Sequence, residues 1–352
     1  AAMSVSTGKP EVPQAPGAAP VAAPAGATAT RDKSTGAGVS DDAKRVLIVA
    51  TLLFTLFFAV WMMFAIVGIP MRKELGLSDS QFALLIAIPV LTGSLLRVPI
   101  GIATDLLGGR NMMIALLLLT AVPTWFVSRV DTYDSALLLA LGVGLAGTSF
   151  AVGIAWVSAW YPADHQGFAL GVFGMGNVGA SITKLLAPTL VTAVGTAGLL
   201  GGLIPGGWRF VPAVYAIALV LTALVLPFVV PRHDKRPSKG RSLMEMSRPL
   251  THIRVWRFGF YYVTVFGAYV GLALWLPKYY VDVYDFSLRD AGFMTALFIF
   301  PASLLRPLGG WLSDRRGARR VTAVSFAIIG VASFALTFTM SVVPFALLVL
   351  VI

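Results

Sequence analysis

The sequence predicts an all-α membrane protein built from two related halves. Hydrophobic residues make up 57% of the 352 residues, and charged residues only 12%. The hydrophobic runs reach the roughly 20 residues that cross a bilayer as a helix. A seventeen-residue segment beginning at Ser94 recurs 209 positions later, beginning at Ser303, with eight of the seventeen positions identical. Such an internal repeat indicates that one structural unit occurs twice in the chain.

Nine complete spans are predicted from the hydrophobic runs, and a tenth begins near Val342. The nine cover residues 46–70, 80–104, 111–128, 135–160, 167–193, 209–231, 255–277, 288–312 and 320–340. The chain begins without an initiator Met and ends inside the tenth span at Ile352, so we expect a fragment of a longer protein.

A basic run between the sixth and seventh spans divides the chain. We expect a disordered cytoplasmic tail at 1–44, a six-helix first half at 45–231, a basic cytoplasmic linker at 232–254 and an incomplete second half at 255–352. The tail is rich in Ala, Pro, Gly, Ser and Thr, so it cannot bury enough apolar surface to fold. It also lacks the pattern of a secretory signal peptide.

The net charge of +11 follows membrane topology. A basic balance can indicate nucleic-acid binding. With the N-terminus inside, however, 18 of the 27 Lys and Arg residues fall on the cytoplasmic side and only six on the outer side. This asymmetry is the positive-inside pattern, so we expect a multi-pass protein in the lipid bilayer with a cytoplasmic N-terminus and no nucleic-acid partner.

Several kinds of chemistry lack the residues they need. The chain has no cysteine, which excludes disulfides and thiolate nucleophiles. Its three histidines fall in predicted loops without ligand spacing, so we expect no metal. Neither a nucleophile–base pair nor a cofactor loop occurs. We therefore expect no cofactor and no enzyme.

The repeat places one arginine inside each of two spans, Arg97 in the second and Arg306 in the eighth. An arginine in a membrane segment is costly, so it marks a functional candidate. The alternatives are a snorkelling side chain or a structural ion pair. Spans one to nine contain no membrane-embedded Asp or Glu to serve as partner. Two guanidinium groups without carboxylates indicate a transported anion, and their planar fork suits an oxyanion.

Each copy of the repeat also carries Gly-x-x-x-Asp followed five residues later by Arg. The residues are Gly101, Asp105 and Arg110 in the first copy and Gly310, Asp314 and Arg319 in the second. The motif resembles the loop motif of the major facilitator superfamily, whose fold has two six-helix halves. The glycines would allow close helix approach. The motif would act as a gate latch, or as a turn that holds the loop geometry.

The fifth span is rich in glycine around Asn177, with Gly174 and Gly176 beside it. Glycine-rich membrane helices are often packing devices. Here the small residues also leave room for a ligand to approach the Asn177 amide. The stretch Gln166 to Ala180 resembles the nitrate signature of the nitrate/nitrite porter family.

Three aromatic residues also resemble that family. Tyr262 and Phe266 stand four residues apart on one face of the seventh span, and Phe150 lies in the fourth. Taken singly, each is as well explained by core or lipid packing. The resemblance runs from about Leu53 to the end of the chain. It implies that both arginines bind the anion while the aromatic faces hold its plane.

Lys184, two turns beyond Asn177, bears on the mode of transport. A buried lysine can lose its proton and couple proton movement to anion movement. The alternative is snorkelling to the outer interface.

We expect a monomeric transporter of a bacterial inner membrane that takes up nitrate, with nitrite, by proton symport. The alternatives are a nitrate/nitrite antiporter, an organic-anion carrier and a nitrate receptor that does not transport.

Overall fold

The computed structural model describes residues 39–162, 165–195, 197–237, 242–338 and 340–352, without the side chains of residues 243, 314 and 318. Most of the predicted tail therefore lies outside the described residues. Residues Val39–Ile352 form one compact unit. Within the described ranges, extended pairing is limited to one isolated bridge between Leu199 and Ile204, and the unit is otherwise helices and connections.

The membrane helices are numbered α1 to α10 in chain order. Their bounds are α1 Asp41–Trp61 and Phe64–Leu75, α2 Asp79–Leu95 and Arg97–Leu107, α3 Gly109–Val127, α4 Tyr133–Val143 and Ser149–Trp160, α5 Gln166–Gly174 and Gly179–Ala193, α6 Phe210–Val229, α7 Ile253–Tyr284, α8 Leu288–Leu304 and Arg306–Arg316, α9 Ala318–Ala335, and α10 Val342–Val351. Short 3₁₀ segments, Gly144–Thr148 and Met175–Val178, join the two parts of α4 and of α5.

The helix lengths agree with an all-α membrane fold. Among the described residues, seven helical segments are long and apolar enough to cross a membrane, and the bent pair that forms α2 raises the number to eight. The predicted ninth span forms α9, of 18 residues, and the predicted tenth forms α10, of 10 residues. Neither is counted among the eight.

Polar residues set where the helices begin. The Ser40 hydroxyl accepts a hydrogen bond from the Ala43 amide, so α1 starts at Asp41. The predicted boundary of the tail at residue 44 is therefore too late. Ser78 and Gln81 form a reciprocal capping box at the start of α2.

Several spans that the sequence predicts as continuous are interrupted at mid-helix. Helix α2 bends by 43° between its two parts, and α8 breaks at the equivalent place in the repeat. Pro99 and Pro307 follow the breaks, and proline has no N–H with which to continue the helical hydrogen bonds. As a result, Arg97 and Arg306 are each the first residue of a new helical segment.

Helices α1 and α5 cross at close range in the core. An added Cβ at Gly176 would lie 3.0 Å from the Thr51 carbonyl oxygen, so a larger residue there would push α1 away. Phe54 of α1 stacks on Phe173 of α5 with ring centroids 4.8 Å apart. This contact brings the glycine-rich stretch of α5 into the centre of the helix bundle.

Candidate functional site

Arg97 lies among aromatic rings at the break in α2. Its guanidinium carbon is 5.3 Å from the ring centre of Phe150, 5.6 Å from that of Trp61 and 5.9 Å from that of Phe266. Its Nε donates a hydrogen bond to the carbonyl of Gly147 at 3.3 Å. Among the residues that the structure describes, no carboxylate lies within 4.0 Å of Arg97. The guanidinium is held by aromatic rings, one carbonyl and the Tyr262 hydroxyl.

Arg306 occupies the equivalent place in α8 and reaches Asn177. With the Asn177 amide oriented so that its oxygen faces Arg306, Nη1, at 3.3 Å, and Nη2 both donate to that oxygen. The amide must present its oxygen, because its NH₂ group would set donor against donor. The Arg306 guanidinium carbon also lies 5.8 Å from the Phe266 ring centre. Both arginines therefore face one aromatic ring.

The three predicted aromatic residues form a stack beside the arginines. Phe150 stacks on Tyr262 and Phe266 at 6.2 and 6.4 Å, and Tyr262 stacks on Phe266 at 4.9 Å, with ring planes inclined by 15–21°. The Tyr262 hydroxyl interacts electrostatically with both guanidinium groups. Tyr269, one turn further along α7, extends the stack at 5.8 Å from Phe266. The sequence analysis missed Tyr269, although it continues the spacing of Tyr262 and Phe266.

Gly174 gives Arg306 its space. A Cβ at Gly174 would lie 3.2 Å from Cδ and 3.4 Å from Nη1 of Arg306, which is tighter than ordinary contact. Asn177 itself is fully buried and lies in the 3₁₀ segment of α5. The two glycines that precede Asn177 thus serve different contacts, Gly174 with Arg306 and Gly176 with α1.

Taken together, these groups favour an anion. Two guanidinium groups carry fixed positive charge in a largely apolar surrounding. Each stands at the start of a helical segment, where the helix dipole adds partial positive charge. Flat aromatic faces border the space, and forked donors match two oxygens of a planar ion.

Lys184 is fully buried in α5. Its Nζ donates to the carbonyl of Met62 in α1 at 3.4 Å. Gly292 of α8 packs over the Lys184 backbone. The side chain therefore does not snorkel to the interface. Within the described part of the chain, Lys184 also has no carboxylate within ion-pair distance.

The loop motif is only partly as expected. An added Cβ at Gly101 would meet nothing closer than Ala151 at 4.0 Å, and one at Gly310 would meet nothing within 4 Å. Among the residues that the structure describes, neither glycine is therefore tightly covered by a neighbouring helix. Asp105 is half-buried near the end of α2, and Arg319 is exposed. The side chain of Asp314 lies outside the described residues.

Arg110 is held by the end of α6. Its guanidinium donates to the carbonyls of Pro227 at 3.1 Å and Arg232 at 3.2 Å. The Asp234 carboxylate accepts from the Arg110 backbone N–H at 2.8 Å and from the Trp156 indole at 2.9 Å. The sequence analysis missed Asp234. Its position as the one acidic residue between 232 and 244 was the available signal.

Comparisons with known proteins show the fold and the family of this chain. The sequence profile of the major facilitator superfamily matches residues 49–352. A bacterial homologue of the human lysosomal transporter Spinster, solved in an inward-facing and occupied conformation, superposes with a TM-score of 0.65 at 21% identity. The superposition covers 89% of this chain and 72% of that one, and it supports the fold.

Two relatives show to which family within the superfamily the chain belongs. The "Probable nitrate/nitrite antiporter NarK1" of Thermus thermophilus is 58% identical over 83% of this chain, which spans 66% of that protein's length. The "Probable nitrate/nitrite transporter NarK2" of Mycobacterium tuberculosis is 36% identical over 82% of this chain, which spans 71% of its length. The chain therefore belongs to the major facilitator superfamily of transporters and, within it, to the nitrate/nitrite porter family. This membership confirms the predicted fold class and family, and it excludes an enzyme.

Proposed function

We propose that the protein carries nitrate and nitrite across a bacterial inner membrane by alternating access. The observation that carries the proposal is the convergence of Arg97 and Arg306 on the Phe266 ring, with no carboxylate within 4.0 Å of either among the described residues. The two arginines come from equivalent positions of the repeat, so one ion between them would contact both halves of the protein.

Nitrate fits these groups by shape and charge. It is planar, so two of its oxygens can accept parallel hydrogen bonds from one guanidinium fork while its faces lie against aromatic rings. The Asn177 amide oxygen faces Arg306, and the amide would turn its NH₂ group towards the anion on binding. Aromatic rings and glycines make up most of the surroundings of the two arginines, so a larger organic anion would find few polar partners beyond Asn177 and Tyr262.

Alternating access needs contacts between the halves that form and break. Lys278 of α7 and Asp79 of α2 form an ion pair at 3.2 Å between the two halves. We assign this pair to the outer side, because the excess of Lys and Arg places the N-terminus in the cytoplasm. The loop motif from Gly101 to Arg110 lies at the other end of α2. The linker 232–254 would join halves 45–231 and 255–352 of a monomer.

We assign proton coupling to Lys184, which makes nitrate/proton symport the first mode. Support comes from its complete burial and its lack of a carboxylate partner in the described part of the chain. An uncompensated buried ammonium is costly, so a proton can leave Lys184 when its surroundings change. Tyr215 is the titratable neighbour from α6, and its hydroxyl is bonded to Thr183 at 2.7 Å.

Nitrate/nitrite exchange is the second mode. The Thermus thermophilus relative, at 58% identity, is named an antiporter. The absence of a carboxylate beside either arginine in the described residues also favours exchange, because an empty site would leave two charges unpaired.

Proteoliposomes with purified protein distinguish the modes. Uptake of labelled nitrate is measured first with an inward pH gradient and no internal anion, then with internal nitrite and no pH gradient. Symport predicts accumulation in the first case, and exchange predicts it only in the second. Protein-free liposomes with each gradient give the background. Failure of both gradients to drive nitrate above this background would overturn the proposed function.

A further inference from the structure

The break in α1 leaves the Met62 carbonyl group without its regular helical partner. In an unbroken helix, the Met62 carbonyl would accept from the Ile66 amide four residues on. The Ile66 amide instead bonds to Met63 at 3.1 Å. The Met62 carbonyl accepts from the Ala65 amide at 3.3 Å and from Nζ of Lys184 at 3.4 Å. Lys184 thus adds a side-chain donor to the carbonyl at the break, beside the Ala65 amide.

Trp61, the residue before the break, contacts Arg97 of the candidate anion site. Its side chain is 2% exposed, and its indole N–H donates to the Pro89 carbonyl at 2.8 Å. A Cβ at Gly147 would lie 2.7 Å from the indole nitrogen, so the ring is closely confined. The Arg97 guanidinium lies 5.6 Å from the Trp61 ring and donates to the Gly147 carbonyl. Trp61 and Gly147 together fix where Arg97 points.

Few other charges lie near this part of α1. No charged residue occurs between Arg45 and Arg72. On α8, Arg289 and Asp290 precede Gly292 and are exposed. On α6, the titratable neighbour is Tyr215, described above. Lys184, at the Met62 carbonyl, and Arg97, at the Trp61 ring, are therefore charged groups that contact α1 at this depth in the described structure.

We infer that Trp61 is a positioning residue for Arg97, and that the break in α1 links the lysine to the anion site. Trp61 contacts Arg97, and the adjacent Met62 contacts Lys184. A shift of the Met62 carbonyl therefore moves the Trp61 ring against Arg97. Loss of the donor at Lys184 leaves that carbonyl with the Ala65 amide alone, so the geometry of the break changes. The inference rests on the proposed function, since it assigns Arg97 to anion binding.

A double-mutant cycle on nitrate affinity tests the link. The variants are Trp61→Phe, which removes the indole donor, Lys184→Met, which removes the ammonium at similar length, and the double variant. Nitrate affinity is measured by calorimetry on purified protein whose fold is checked by gel filtration and thermal melting. We expect each single change to weaken binding by about fivefold, and the double variant to be no weaker than about twice the worse single variant.

A matched control is available in α3. The Arg129 guanidinium lies over the Trp125 ring, 4.5 Å from its centre. This pair resembles Arg97 and Trp61 but belongs to another helix than the break in α1. Trp125→Phe should leave nitrate affinity within about twofold of the wild type and should combine additively with Lys184→Met. If Trp61→Phe does not fold, Gly147→Ala displaces the same ring and takes its place in the cycle.

The possible results distinguish a failure of the link through α1 from a failure of the proposed function. If the effects of Trp61→Phe and Lys184→Met multiply as independent changes do, the link through α1 is wrong while the anion site stands. An unchanged nitrate affinity in Lys184→Met would also overturn the link. Failure of the wild-type protein to bind nitrate would overturn the proposed function itself.

Discussion

Replacing Asn177 with aspartate should damage nitrate binding more than removing the side chain altogether. With its oxygen facing Arg306, the Asn177 amide accepts from Nη1 at 3.3 Å and also from Nη2. Aspartate has the same shape as asparagine, so its carboxylate would take both donors as a buried ion pair. A nitrate ion would then have to displace an anion that is covalently held at the site.

The structure sets the relative size of the two effects. Separating a buried ion pair costs about 3–5 kcal/mol. The buried hydrogen bonds lost in Asn177→Ala are worth about 1–3 kcal/mol. At about 1.4 kcal/mol for each tenfold change, Asn177→Asp should weaken nitrate affinity by more than about 100-fold, and Asn177→Ala by roughly 5- to 100-fold.

The assay is counterflow of labelled nitrate into proteoliposomes, with KM taken for each variant. Asn111→Asp is the matched control, because the Asn111 amide bonds to the Leu107 carbonyl at the exposed start of α3. This control should keep the wild-type KM. The reasoning is refuted if Asn177→Asp transports nitrate with the same KM as Asn177→Ala, or a lower one.

Three further predictions concern the other proposed site residues. Arg97→Lys and Arg306→Lys should each reduce nitrate affinity by at least about tenfold although charge is kept, because an ammonium group lacks the fork; wild-type uptake by either variant would remove that arginine from the site. Phe150→Ala and Phe266→Ala should each raise transport of chlorate relative to nitrate, and an unchanged ratio in both would count against an aromatic lining. Lys184→Gln should lose accumulation driven by a pH gradient yet still exchange labelled nitrate at equal concentrations. Accumulation that survives this change would assign coupling to nitrite exchange.

The sequence predicted the groups of the candidate site better than their arrangement. Arg97 and Arg306 were found because charge is rare in apolar runs and because the repeat marked both. The breaks beside them were missed, since hydropathy does not fall where a helix bends. Pro99 and Pro307 were the available signal. No sequence pattern pairs Arg306 with Asn177, because that contact depends on how α8 packs on α5.

The surroundings of Lys184 also could not be predicted from the sequence. Its distance along α5 from the interface allowed both snorkelling and burial. The structure buries it because Gly292 of α8 packs against the helix and the Met62 carbonyl accepts from Nζ. For a related reason, the tight helix packing expected at Gly101 is not seen among the described residues. A small residue permits tight packing, but whether a neighbour comes close depends on the tertiary arrangement.

The central claim is that Arg97 and Arg306 hold one anion together. A double-mutant cycle on nitrate affinity tests it most directly, with calorimetry on the wild type, Arg97→Lys, Arg306→Lys and the double variant. Because both guanidinium groups would bind the same ion, we expect saturable nitrate binding by the wild type and a loss in the double variant well below the product of the single losses. Single losses that multiply fully, or wild-type affinity in either single variant, would contradict a shared site.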